Sequence, residues 1–535
     1  MPPELSLAQY GVDDPHVELV RPSGIIVRGA RVTDLLSNRP PSSALIQHAL
    51  TWNELLGPHA DLRVDRDGLR AAARASYSWG PFVQGLANAL ARSRRARAAY
   101  FEERVNRLAL EDNWPAGIAN WSVLMRAFAD GGKRLTAVTE QGLLWLLADA
   151  LADPWASAGA TPAFDDRRLL RLAMVAGGAM SNPIAAEAAR SPEVLLPVGR
   201  LHHDDEALAV LVRSYELYCE LLPSVFPRAI EAFEGSVGIS VSQWIVDACR
   251  TFLATRKWLK MREDGGATLN LSPTQENLPP DYERIHATAK RLSASRQEFR
   301  TAFAKAPQDS NRGLRFEPLR RWPLLTSELI GEHLFVVLHL DFLLGAADDG
   351  VFYRVLDALD SVERDHFLEK FGLVYESYVE SVLRRAVSGL PGCGFARLDD
   401  GTERTRRRCD FAVRILDDLV LVDAKRCGVS AAMVEGRTDM RTRLDEQVAK
   451  AASQFIQTAK DVERGAVEAL PTHLGVAEDW HPRRTFGLIV HHHPLFLWFE
   501  STRQVLQRQG LSTEWDRLFA SAPIAWSTSE LERRT

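Results

Sequence analysis

Residues 408–425, RCDFAVRILDDLVLVDAK, hold two apolar runs separated by adjacent aspartates, and no other stretch of the chain constrains the fold as tightly. Alternation with period two marks half-buried strands, and a polar pair between them marks a two-residue hairpin turn. With Asp417-Asp418 as the turn, Asp410 faces Lys425, Ala412 faces Asp423 and Arg414 faces Leu421. Directly opposed residues point to the same side of a sheet. Phe411, Val413 and Ile415 therefore join Val420, Val422 and Ala424 on an apolar face suited to a core. The other face gathers Asp410, Asp423 and Lys425 around the small Ala412.

A half-buried face with two carboxylates and an ammonium is costly unless the charges are paired, coordinated or used in chemistry. Neighbouring carboxylates repel, and a hard divalent cation with oxygen ligands relieves that repulsion; Ala412 leaves room for one. A lysine beside such an ion orients a water or stabilises charge developing on a phosphate. The pattern points to phosphodiester hydrolysis with Mg2+, or Mn2+ in its place.

The hairpin sits in a regular context. A helix from about Glu363 to Val387 places Phe367, Phe371, Val374, Tyr378, Leu383 and Val387 at helical intervals, and Gly389-Leu-Pro-Gly ends it. Three strands follow, CGFARL (393–398), RCDFAVRIL (408–416) and LVLVDAK (419–425). A second amphipathic helix spans about Arg443 to Arg464, and TFGLIVHH (485–492) makes a fourth strand. This αβββαβ order, with Asp410 on one strand and Asp423-Ala424-Lys425 on the next, resembles the PD-(D/E)xK, or restriction-endonuclease-like, nuclease superfamily over about residues 363–493.

The resemblance implies that Asp410 and Asp423 are metal ligands and Lys425 the catalytic lysine. It also implies an assisting glutamate on the first helix, which FGLVYESYVESVL supplies as Glu376, with Glu380 one turn later as the alternative. Cys409 stands where the family pattern has proline. A D/E-x-K tripeptide is expected about once by chance in a chain with nine lysines, so the weight lies in its placement and not in the tripeptide.

Other polar clusters are weighed against plainer explanations. Arg404, Arg406, Arg407 and Arg408 suit phosphate contacts that position a nucleic acid without reading its sequence, or form a solvated loop. Arg437, Arg441 and Arg443 could extend that patch. Gln447, Lys450 and Gln454 lie on the polar side of the second helix, with Gln447 the candidate substrate contact and an exposed face the commoner explanation. His491, His492 and His493 alternate across a strand, so at most two could share a metal, and they read as a strand end near the site. His202 to Glu206 reads as a loop and helix start. Phosphate-loop, dinucleotide and serine-hydrolase motifs are absent from the sequence.

The remaining chain is less specific. Residues 1–45 suggest a small strand-containing cap, and 43–260 are rich in Ala, Leu and Arg at helical spacing. The expected division is a mainly helical domain over 1–264, a linker with one helix over 265–314, and the nuclease-like domain over 315–535. Net charge is −5, with 65 basic and 70 acidic residues, which excludes nucleic-acid binding by bulk charge and leaves a local patch as the means. Five cysteines without C-x-x-C spacing suit a reducing cytoplasm. The most membrane-like segment, Leu329 to Ala347, carries four polar or charged side chains and makes a poor span.

The expectation is therefore a Mg2+-dependent endonuclease acting on DNA before RNA, as in bacterial restriction or anti-phage defence. The helical domain would serve regulation, target recognition, homo-oligomer formation or a protein partner. The alternatives are a catalytically inactive nucleic-acid-binding protein and an interaction scaffold built on the helical domain.

Overall fold

A computed structural model describes residues 16–20, 26–31, 73–74, 77–91, 140–152, 207–261, 266–273, 281–305, 316–326, 333–398, 408–425, 440–467, 469–492, 499–528 and 531–532. The chain forms two compact units. One contains residues 1–192 and 247–346, the other residues 193–246 and 347–535. The boundaries expected at 264 and 315 do not coincide with this division. Residues 193–246, assigned from sequence to the N-terminal domain, belong to the unit that holds the hairpin. Helical periodicity identifies an apolar stripe but not the surface that covers it.

In the first unit, β1 (His16–Val20) and β2 (Ile26–Arg31) pair antiparallel where the sequence suggests a cap. The expected linker instead supplies β3 (Thr268–Asn270) and β4 (Ser293–Ala294), which join β5 (Leu324–Thr326) and β6 (Leu334–Val337) in a four-stranded sheet ordered β3-β6-β5-β4. Strands of two to four residues are too short for alternation to show. The Asn88 side chain, on the helix Trp79–Leu90, accepts a hydrogen bond from Ala267 N at 2.7 Å and fixes the approach to β3. Among the described residues, no helix is long and apolar enough to cross a membrane.

The second unit is a mixed α/β arrangement. Its principal helices are α1 (Ala207–Tyr215), α2 (Pro227–Val237), α3 (Asp349–Ala358), α4 (Ser361–Val387), α5 (Met440–Glu463), α6 (Phe499–Arg508) and α7 (Ser512–Leu518). Its strands are β7 (Cys393–Arg397), β8 (Phe411–Ile415), β9 (Asp418–Lys425), β10 (Arg484–His491) and β11 (Ile524–Ser527), in sheet order β11-β10-β9-β8-β7. The first three strands form an antiparallel meander, and β10 and β11 run parallel to β9. The order α4, β7, β8, β9, α5, β10 follows the sequence expectation; β11 and its two preceding helices extend it.

Asp360 caps α4 by accepting from Glu363 N at 2.9 Å. The buried side of α4 carries Phe367, Phe371, Val374, Tyr375, Tyr378 and Leu383. The 207–246 segment covers part of that helix: Tyr218 stacks on Phe371 with ring centroids 5.6 Å apart, and Arg228 donates to Glu363 at 2.9 Å. Gly487 on β10 allows α5 and α7 to close on the sheet, because a Cβ there would lie 2.7 Å from Trp515 and 3.1 Å from Phe455.

The hairpin register differs from expectation by two positions. Phe411 pairs with Val422, Ala412 with Leu421 and Ile415 with Asp418, so the turn residues are Leu416-Asp417. Asp418 is drawn into β9, where it meets Arg484 of β10 in register and accepts two hydrogen bonds from that guanidinium. A shift of two preserves the faces, since side chains alternate with period two. It moves Ala412 away from Asp423, to a buried position between Ala396 and Leu421, so Ala412 does not make the space beside Asp423.

The altered turn places Leu416 in the left-handed region with φ 57°. That conformation costs a branched residue roughly 1–2 kcal/mol. Leu416 is exposed and loses little burial on truncation. Leu416→Gly is expected to raise the unfolding free energy by roughly 1 kcal/mol, after the entropic cost of glycine, measured as a higher urea midpoint at unchanged slope.

Candidate active site

Continuing the β8–β9 ladder by one pair brings Asp410 beside Asp423. Asp410 Oδ2 accepts from Ala424 N at 2.6 Å, which clamps the carboxylate against β9. Asp423 is fully buried. Lys425 Nζ donates to Asp423 Oδ1 at 2.8 Å, lies 2.7 Å from Asp423 Oδ2, and donates to Gln454 Oε1 on α5 at 3.1 Å. Asp423 Oδ2 is buried and receives no hydrogen bond of good geometry despite that approach.

The electrostatics follow from this crowding. Burial, then the Asp423 charge, push the Asp410 carboxyl up to about 8; Glu376 adds to the effect, and Lys425 and the Ala424 N–H oppose it. Burial alone would lower the Lys425 ammonium, but Asp423, Asp410, the hydrogen bond to Asp423, and Glu376 outweigh it, so the net shift is upward. Lys425 is thus held as a cation. Burial pushes the Cys409 thiol up as well, and the four described cysteines are free. Cys409 is thus a buried, protonated thiol beside the carboxylates.

Glu376, half-buried on α4, acts electrostatically on both Asp410 and Lys425. Its alternative, Glu380, is held by Arg384 at 2.9 Å and Arg397 at 2.5 Å. Among the described residues, one three-member set of candidate metal ligands closes to within 4.8 Å, and it is Asp348, Asp349 and His492. Asp410, Asp423 and Glu376 therefore do not close as a trio. The structure joins two of the three expected carboxylates with the lysine and leaves the third at the margin.

Arg408 is occupied elsewhere, donating to Asp461 at 3.0 Å and to the Ala466 carbonyl at 3.2 Å, so it anchors the start of β8 instead of standing open to a phosphate. Arg404, Arg406, Arg407, Arg437 and His493 lie outside the described residues, as does His202 to Glu206. Gln447 is half-buried on α5 and Lys450 is exposed. Gln454 is not on an exposed face: it is 8% exposed and bonded to Lys425. Periodicity shows the side of a helix but not the depth of each residue, and no signal in the sequence ranks Gln454 above Gln447.

His491 ends β10 in register with Lys425, as a strand-end position requires. The neighbouring His492 turns to Asp348, with Nε2 3.7 Å from Oδ1. Arg213 donates to the other Asp348 oxygen at 3.0 Å and to Glu532 at 2.8 Å, a buried network drawn from three distant parts of the sequence. No family model, curated protein or solved structure matches the chain.

Proposed function

We propose that the second unit is a metal-dependent phosphodiesterase. Within that class it is a nuclease of the PD-(D/E)xK type, acting in the cytoplasm on DNA before RNA, with a role in bacterial restriction or anti-phage defence. The observation that carries the reading is the meeting of Asp410, Asp423 and a cationic Lys425 where β8 begins and β9 ends.

The donor set fits a hard divalent cation. Asp423, with a buried oxygen lacking a well-formed hydrogen bond, stands beside a second carboxyl whose ionisation this crowding opposes, a repulsion that a cation would relieve. Mg2+ is commonly held by one or two carboxylates together with waters and substrate phosphate, so a complete protein cage is unnecessary. Asp410 and Asp423 would hold Mg2+, or Mn2+, directly, with Glu376 acting from the margin. When bound, the ion supplies a Lewis acid for the phosphate and lowers the pKa of a water.

The chain's own groups do the rest. Asp410 would give up its proton to solvent on becoming a ligand. Lys425 places a positive charge where negative charge develops on the phosphate and can orient the attacking water. Contacts along the phosphate backbone are assigned to Arg404, Arg406, Arg407 and Gln447; the first unit would provide regulation, recognition or an oligomer contact.

Calorimetric titration of metal-free protein with Mn2+ tests the site. One binding event is expected in the wild type and none at that affinity in Asp410→Asn or Asp423→Asn. Binding unchanged in both variants would refute the ligand assignment and favour a scaffold whose hairpin charges are structural.

A further inference from the structure

We infer that Gln454 is a positioning residue that holds the Lys425 ammonium in its working place when Asp423 is engaged by a cation; the inference rests on the reading of Lys425 as the catalytic lysine. In the structure Nζ is shared among three oxygens: Asp423 Oδ1 at 2.8 Å, Asp423 Oδ2 at 2.7 Å and Gln454 Oε1 at 3.1 Å. An ammonium has three donors and no acceptor. A carboxylate committed to a cation cannot keep both oxygens for the lysine. Gln454 Oε1 is neutral and has no such competing duty, so it is the partner that persists.

The glutamine is built to face that way. Its Nε2 donates to the Arg408 carbonyl at 2.9 Å. Turning the amide over would set an N–H against an ammonium and an oxygen against a carbonyl, so the bonding network fixes which atom meets Lys425. One turn along α5, Thr458 Oγ1 accepts from Cys409 N at 3.0 Å and donates to the Gln454 carbonyl at 2.8 Å. The helix is thereby pinned to the two residues that precede Asp410. Gln454 thus connects the lysine at the end of β9 to the segment entering β8, and its burial restricts its rotamers.

A neutral acceptor suits this task better than a carboxylate. Glutamate at 454 would also grip Lys425, but its charge would compete with the substrate phosphate for the same ammonium. The preference for glutamine is for position without neutralisation.

The experiment compares Gln454→Met, of similar volume but without hydrogen bonding, with Gln454→Glu. With Mg2+ in excess, so that Asp423 is engaged, acetylation of Lys425 by acetic anhydride, quantified by peptide mass spectrometry, is expected to rise several-fold in Gln454→Met and to stay near wild type in Gln454→Glu. In Mg2+, kcat for DNA cleavage is expected to fall roughly ten- to a hundredfold in Gln454→Met, as for other residues that orient a catalytic group, with KM and Mn2+ affinity within about twofold. Wild-type labelling in Gln454→Met, or equal labelling in the two variants, overturns the inference. Should methionine abolish cooperative melting, Gln454→Asn, whose amide falls one methylene short of Nζ, takes its place with the same expectations. Labelling decides the role of Gln454 even if the wild type cuts nothing, whereas cleavage lost in Lys425→Ala but kept in Gln454→Met sinks this inference alone.

Discussion

Asp410→Asn is expected to stabilise the metal-free protein at pH 8 while removing its response to Mg2+. The folded carboxyl is raised from an ordinary value of 3.8 to about 8, chiefly by burial and by Asp423. Between those values the folded chain binds a proton that the unfolded chain has released. Stability in EDTA therefore falls as pH rises from about 4 to about 8 and levels off above that. Asparagine cannot ionise, so the variant escapes this loss, and its advantage should be near zero at pH 4 and on the order of a few kcal/mol at pH 8.

Added Mg2+ reverses the order. A cation needs the carboxylate deprotonated, so affinity for the wild type should weaken as pH drops below about 8, with proton release on binding. Melting curves for both proteins, with EDTA and with excess Mg2+ across this range, check each arm. A wild type whose metal-free stability is flat from pH 4 to 8 would contradict the crowding of Asp410 and Asp423.

The parts of this site that were legible in the sequence share one property: they depend on local alternation. Period two divides Asp410 and Asp423 from Phe411 and Val422, and a register slip of two leaves that division intact. The exact pairing was not legible because aspartates are good turn residues and Leu416 is a poor one. In the fold Asp418 extends β9 and pairs with Arg484 of β10, a strand 66 residues away. Helical spacing likewise located Glu376 on α4, while the engagement of Glu380 by Arg397 of β7 could be seen only in three dimensions.

Long-range partnerships account for what sequence reasoning missed. Residues 207–246 have an amphipathic pattern that any apolar surface could satisfy, and they cover part of α4. The Arg213, Asp348 and His492 network joins residues that no motif connects. Arg408 was legible as a cation, yet its fate depended on Asp461, which lies about one and two-thirds helical turns beyond Phe455 on α5 and is itself buried.

If Asp410, Asp423 and Lys425 cut phosphodiester bonds, as we propose, removing the lysine or either carboxylate should have the largest effect of any substitution. Lys425 supplies the cation of this cluster, held there by the Asp423 carboxylate and the Gln454 amide. Loss of a group that stabilises transition-state charge commonly costs about a hundred- to a thousandfold in rate. Asp423→Ala removes a ligand and strands the ammonium, and should cost at least as much.

The most direct measurement is cleavage of plasmid DNA, beside a structured RNA, by purified wild type, Lys425→Ala and Asp423→Ala in Mg2+ and in EDTA. The account predicts cutting by the wild type in Mg2+ alone, with both variants slower by a hundredfold or more although they melt cooperatively. Cutting that persists in both variants, or in EDTA, would contradict it.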